Sequence, residues 1–204
     1  MDKQRLWSQH TWSDCRDSTH RPPPRQVEID LSSPGLAVVD LERLLYTGKA
    51  IVSHADEVWP KLYIGDQSSA DNRSELALHR ITHVLNAAHS RLRGGAETYQ
   101  GMNITYLGIE GRDCCDYDMS ANFQTAADFI YTALSGGGTV LVHCAVGVSR
   151  SATLVLAYLM LKQHLTLVEA ICAVKDNRGV IPNRGFLRQL IKLDAKIHGK
   201  HGQS

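Results

Sequence analysis

The chain reads as an α/β protein, with a small, mostly parallel central sheet of about four or five strands flanked by helices. Three observations predict this. Short runs rich in Val, Ile, Leu and Tyr recur from Lys61 onward, and segments of helical period alternate with them. The longest apolar run, Ala152 to Leu161, has ten residues, too many for a short strand and far fewer than the ~20 that span a bilayer. Such an alternation is the pattern of helices covering a sheet.

The elements follow in chain order. Met1 to about Pro34 is polar, carries "RPPPR" at Arg21 to Arg25 and shows no sustained period, so residues 1–34 are expected to form a disordered tail. Its prolines read either as plain linker or as a short polyproline segment for an SH3-type partner. Residues 35–198 are expected to form one domain, and 199–204 a short C-terminal tail. From Ala37 to Tyr46, "AVVDLERLLY" places Val38, Leu41, Leu44 and Leu45 on one helical face, with Gly48 as a stop. That amphipathic helix packs on its own domain, recognises a substrate, or swaps onto a second copy to give a homodimer.

Strands are predicted at Lys61 to Ile64, His83 to Asn86, Ile104 to Leu107 and Thr139 to His143. Asp118 is placed to cap a helix in which Phe123, Ala127, Ile130 and Leu134 recur at helical spacing. Ala152 to Leu161 reads as a buried helix. Thr166 and Glu169 form a T-x-x-E capping box, and Pro182 precedes a last helix through Phe186, Leu190 and Leu193.

Composition narrows the function classes. The 204 residues are 43% hydrophobic and 21% charged, enough for one domain with a full core. Formal net charge is +1 and no long basic block occurs, so neither nucleic acid nor an anionic membrane is an expected partner. The cysteines Cys15, Cys114, Cys115, Cys144 and Cys172 are odd in number and lack metal-ligand spacing, which points to a reducing compartment, the cytoplasm or nucleus. Cys172 falls on an apolar face and reads as core.

The chemistry centres on "HCAVGVSRS", His143 to Ser151. A strand delivers Cys144 to its C-terminal end, and a helix begins near Arg150. Backbone N–H groups from Ala145 through Val146, Gly147, Val148 and Ser149 to Arg150 can turn inward around an oxyanion, with Gly147 supplying the conformational freedom and the helix start its positive end. The planar fork of Arg150 suits two phosphate oxygens, and the same surroundings favour a thiolate at Cys144. A nucleophile of this kind attacks phosphorus, and the departing oxygen then needs a proton. Asp113, Asp116 and Asp118 in "GRDCCDYDMS" are the carboxylates on offer, and the residues alone leave the choice among them open.

"HCAVGVSRS" resembles the signature of cysteine-dependent protein phosphatases. "DEVWPKLYIGD", "ITHVLNAAH", "ITYLGIEGRD" and "GVIPNRGFLRQL" resemble the small VHR-like, or atypical, dual-specificity phosphatases, over about Val38 to Leu193. The resemblance implies a protein tyrosine phosphatase-like fold and hydrolysis of phosphotyrosine and phosphoserine/threonine through a phosphocysteine, with MAP kinases as the family-level substrate. It implies Asp113 as general acid, Ser151 as hydrogen-bond donor to the sulfur, His143 as the residue orienting the loop, and Asn183 as its support, although Asn183 also reads as a helix cap. Arg178 matches an arginine that holds a second substrate phosphate; a solvated helix-end arginine is the plainer reading.

Val148 departs from the prototype, which has an aromatic there, so the wall against a tyrosine ring is smaller. Ala145, Val146 and Val148 are uncharged, which favours a protein monoester over a lipid or RNA phosphate. No metal or other cofactor is expected, because the loop amides and Arg150 supply the charge stabilisation. The competing reading is a phosphoprotein-binding adaptor with little turnover. Arg91 and Arg93 read as a solvated loop or as a contact for an acidic docking groove. Cys114 or Cys115, beside Asp113, is placed to form a disulfide with an oxidised Cys144.

Overall fold

The computed structural model describes residues 37–90 and 95–199. The expected N-terminal tail, residues 200–204 of the C-terminal one, Cys15, Arg91 and Arg93 lie outside them. Five strands form one sheet: β1 (Ala55–Trp59), β2 (Leu62–Gly65), β3 (His83–Asn86), β4 (Thr105–Gly108) and β5 (Val140–His143). Their order is β1-β2-β5-β3-β4, with β1 antiparallel to β2 and the other neighbours parallel. The helices are α1 (Val38–Leu45), α2 (Gln67–Asp71), α3 (Arg73–Leu78), α4 (Phe123–Ser135), α5 (Arg150–Gln163), α6 (Leu167–Lys175) and α7 (Arg184–His198).

The central strand β5 is buried on both faces, which is why "VLVH" is a continuous apolar run rather than an alternation. Val140 and Val142 enter the larger core against α4 to α7, whereas Leu141 points to a smaller cluster with Ala70, Leu76, Ile81, Val84 and Tyr99 beneath α2 and α3. Helix α5 runs through the larger core, with every residue from Ser151 to Met160 buried. A helix apolar all round belongs in that position.

Four strands lie within one residue of their sequence positions. The fifth, β1, was not foreseen: Asp56 and Glu57 interrupt its apolar pattern, and its pairing with β2 comes through a tight turn with Lys61 at φ 60°. Thr166 caps α6 with the reciprocal bonds of a capping box, its hydroxyl accepting from the Glu169 N–H while its own N–H donates to the Glu169 carboxylate. Asp118 does not cap α4 itself. Its Oδ1 accepts from the Ser120 N–H at 3.0 Å, at the start of a 3-10 turn, Ser120–Asn122, that feeds α4. Cys172 is half-buried, at the edge of the core rather than inside it.

Helix α1 packs on its own domain. Leu41 and Leu45 are buried in the main core, and Arg184 at the start of α7 forks onto Glu42, with Nε to Oε1 at 2.7 Å and Nη2 to Oε2 at 3.2 Å. Among the described residues no helix is long and apolar enough to cross a membrane.

Candidate active site

The carboxyl ends of β2, β5 and β3 meet at one level, with His143 in register with both Gly65 and Asn86. Ligands of open α/β sheets bind outside such ends. Here the next residue is Cys144, and five residues separate it from Arg150, the first residue of α5. The loop between them is held from outside through its carbonyls. Ala145 O accepts from the Gln67 N–H at 3.3 Å, Gly147 O from Arg178 Nε at 3.0 Å, and Val148 O from the Ile181 N–H at 3.0 Å.

A trans peptide directs its N–H opposite to its C=O, so outward carbonyls leave the N–H groups facing the interior of the loop. The Gly147 N–H donates to Cys144 Sγ at 3.2 Å, and the Ser151 hydroxyl lies 3.3 Å from the same sulfur. Gly147 takes φ +72°, a left-handed conformation, and a Cβ there would stand 2.6 Å from Gly65 O. Only glycine fits that corner.

Cys144 is 1% exposed. Burial alone pushes its thiol up, but hydrogen bonds from the Ser151 hydroxyl and from the N–H groups of Ser151, Gly147 and Val148 together outweigh it and hold the pKa below the ordinary thiol value. The other shifted thiols go the opposite way. A hydrogen bond with Asp116 raises Cys114, and burial raises Cys172. His143 sits one residue earlier with its ring enclosed; burial, opposed more weakly by the Cys144 backbone, brings its pKa down to about 4 and keeps it neutral.

Of the three candidate carboxylates, Asp113 is the one joined to this loop. Its Oδ1 accepts from the Ser149 hydroxyl at 2.7 Å and from Asn183 Nδ2 at 2.9 Å, and its Oδ2 lies 3.7 Å from Arg150 Nε. The Asp113 side chain is 38% exposed, so it also faces solvent. Asp116 is taken up by Cys114 and Asp118 by Ser120. Arg150 donates from Nη1 to Gly111 O at 3.0 Å, which ties it to the segment that carries Asp113.

Asn183 caps α7, one of its two expected readings, and its side chain reaches Asp113 rather than the loop itself. Its Oδ1 accepts from the Phe186 N–H at 3.0 Å as the cap of α7, while its Nδ2 reaches Asp113. Gly185, the second residue of α7, lies so close to the backbone of Cys115 that no side chain fits between them. The start of α7 and the segment after Asp113 are thereby packed together.

Arg178 requires a correction. It was expected to bind a second substrate phosphate, but it is 0% exposed and two of its three nitrogens are committed inside the protein: Nε to Gly147 O, and Nη1 to Ser53 O at 3.1 Å and Asp56 Oδ2 at 2.6 Å. A fully enclosed guanidinium with these partners has no access to substrate. Sequence reasoning also missed the Ser149 hydroxyl as a partner of Asp113, and missed Asp56. Ser149 stands inside the signature and was legible as a hydroxyl near the site; Asp56 carries no local signal.

The sheet order, the cysteine loop at its carboxyl edge and the arginine at the head of α5 define the class of the cysteine-dependent phosphatases. Residues 62–196 match the family model described as dual specificity phosphatase, catalytic domain, and the chain belongs to that family as a dual-specificity protein phosphatase. It is 68% identical to dual specificity protein phosphatase 26 of Homo sapiens over 199 residues, covering 94% of each chain. The crystal structure of human DUSP28 superposes with a TM-score of 0.65 at 29% identity, covering 73% of this chain and 98% of the other. A human tyrosine phosphatase-like serine/threonine/tyrosine-interacting protein gives a TM-score of 0.61 at 30% identity, covering 70% and 96%.

Proposed function

We propose that this phosphatase hydrolyses phosphotyrosine and phosphoserine/threonine on proteins through a phosphocysteine on Cys144, with MAP kinases among its substrates. The observation that carries the mechanism is the Cys144 sulfur beneath inward N–H groups and the Ser151 hydroxyl, with Arg150 and Asp113 held on the same loop. The thiolate attacks phosphorus while Arg150 and the loop amides hold the equatorial oxygens. Asp113 protonates the departing oxygen, and as a carboxylate it then takes a proton from the water that attacks the phosphocysteine. Cys144 leaves as a thiolate that accepts a hydrogen bond from Ser151. Free phosphate departs, and no metal enters either step.

Val148 gives a smaller wall than an aromatic would, which supports a site open to both residue classes. The MAP kinase assignment rests on the family resemblance. The decisive experiment assays wild type, Cys144→Ser and Asp113→Ala on phosphotyrosine, phosphothreonine and doubly phosphorylated activation-loop peptides. Wild type should turn over both residue classes, Cys144→Ser should be inactive, and Asp113→Ala should be slower by about a hundredfold or more. An inert wild type that still binds the phosphopeptides would establish the adaptor reading. A protein described as phosphatase-like shares this fold, so it is the presence of Cys144, Arg150 and Asp113 that favours turnover here. EDTA should leave activity intact and a thiol oxidant abolish it.

We further infer that two copies pair by exchanging α1, whose apolar face fills the core of its own domain here and would fill the same place in a second copy. Light scattering with and without that helix tests this, and a monomer in both ends it. The four described cysteines are free, which supports a reducing location in cytoplasm and nucleus; imaging of the tagged chain in cells checks it.

A further inference from the structure

We propose that Asp56 and Arg178 form a positioning clamp that aims the amides of the catalytic loop at the reacting centre, so that Arg178 acts on the loop and not on substrate. This rests on Cys144 as the nucleophile. Three donors hold the loop carbonyls outward, and two of them, the N–H groups of Gln67 and Ile181, belong to the backbone. The third is a side chain. Arg178 Nε donates to Gly147 O at 3.0 Å, in the peptide whose other end is the Val148 N–H. Because that peptide is planar and trans, a carbonyl drawn toward Arg178 sends the Val148 N–H the opposite way, toward Cys144.

The guanidinium is itself immobilised from a distant part of the chain. Nη1 donates to Asp56 Oδ2 at 2.6 Å and to Ser53 O at 3.1 Å, and Asp56 Oδ1 in turn accepts from the Ser53 hydroxyl at 2.6 Å. The remaining nitrogen, Nη2, has no hydrogen-bond partner among the described residues and lies 2.8 Å from where a Cβ on Gly147 would stand. Its place is therefore set by packing on the loop. A buried ion pair is a poor source of net stability, since desolvation offsets most of the attraction. A planar fork that reaches two separate partners at fixed angles does supply orientation, and a point-charge lysine does not. The clamp thus links β1, the antiparallel edge strand, to the geometry of the loop after β5.

The test compares full-length wild type, Arg178→Lys, Asp56→Asn and the double variant Asp56→Leu/Arg178→Met. Each is melted first, to establish folding. Iodoacetamide alkylation of Cys144 is then followed against pH, and kcat and KM are measured on a small aryl phosphate. The double variant leaves no unpaired buried charge and should fold even if a single variant does not. Lysine keeps the charge beside Asp56 but gives up the bond to Gly147. In Arg178→Lys and the double variant, the alkylation profile should move about one unit toward alkaline pH, a tenfold loss of thiolate on its acid side. Their kcat should fall about tenfold or more with KM changed little.

A purely structural role would lower the melting temperature and leave the profile of the folded protein unmoved, which overturns the proposal. A raised KM with unchanged kcat also overturns it, by returning Arg178 to substrate. Failure of the nucleophile reading would look different: Cys144→Ser would keep its turnover.

Discussion

Asn183 serves the fold and the site through different atoms, and substitution can separate them. Asn183→Ala removes the Oδ1 cap of α7, worth about 1 kcal/mol, and the Nδ2 bond to Asp113, worth about 0.5–1 kcal/mol at this exposure. A combined loss of about 1.5–2 kcal/mol corresponds to a melting temperature lower by about 3–8 °C for a domain of this size. Asn183→Ser keeps a good capping oxygen but is too short to reach Asp113, so its melting temperature should fall by only about 1–4 °C. Both variants leave Asp113 held by the Ser149 hydroxyl and the longer ion pair with Arg150, and both should lose about three- to tenfold in kcat, a fraction of what a misplaced general acid costs. Differential scanning calorimetry and steady-state assays on one phosphopeptide give the two readouts. Wild-type kcat in Asn183→Ser, beside a destabilised Asn183→Ala, would show that Asn183 caps α7 and does nothing for the acid.

Further outcomes follow from the same geometry. Ser151→Ala removes the hydroxyl 3.3 Å from the sulfur and should move the alkylation profile of Cys144 about one unit alkaline, with a larger burst of product as phosphocysteine breakdown slows; an unmoved profile refutes it. Gly147→Ala forces a side chain into a left-handed corner 2.6 Å from Gly65 O and should abolish turnover while lowering the melting temperature; full activity would mean the loop does not need that conformation. His143 stays neutral in the fold down to about pH 4, while the unfolded chain takes up that proton near pH 6.5. Stability should therefore fall as pH drops from about 6.5 to about 4, by at most about 3 kcal/mol, and His143→Gln should flatten that slope in denaturant titrations. An equal slope in the variant would remove His143 from the account.

The sequence by itself determined what depends on neighbours along the chain. The apolar runs of β3 and β5, the capping box of α6 and the apolar run 152–161 of α5 are local patterns, and each appears in the fold where its pattern lies. The signature loop is local as well, because a thiol, a left-handed glycine and an arginine at the head of a helix are placed by one strand–turn–helix unit. What only the tertiary structure decided are the meetings of distant segments. Local sequence offered three carboxylates, among which only the family resemblance favoured Asp113; the contacts that join it to the loop come from Ser149, 36 residues on, and Asn183, 70 residues on. Strand β1 was illegible because a charged edge strand lacks the apolar alternation that marks a half-buried one, and its role is set by its partner β2. Arg178 is the sharpest case. A helix-end arginine in a polar segment reads as solvated, yet burial and an ion pair with Asp56, 122 residues away, put it under the loop. Local propensity fixes backbone shape within a few residues, but which side chain loses its water is decided by what the rest of the chain lays over it.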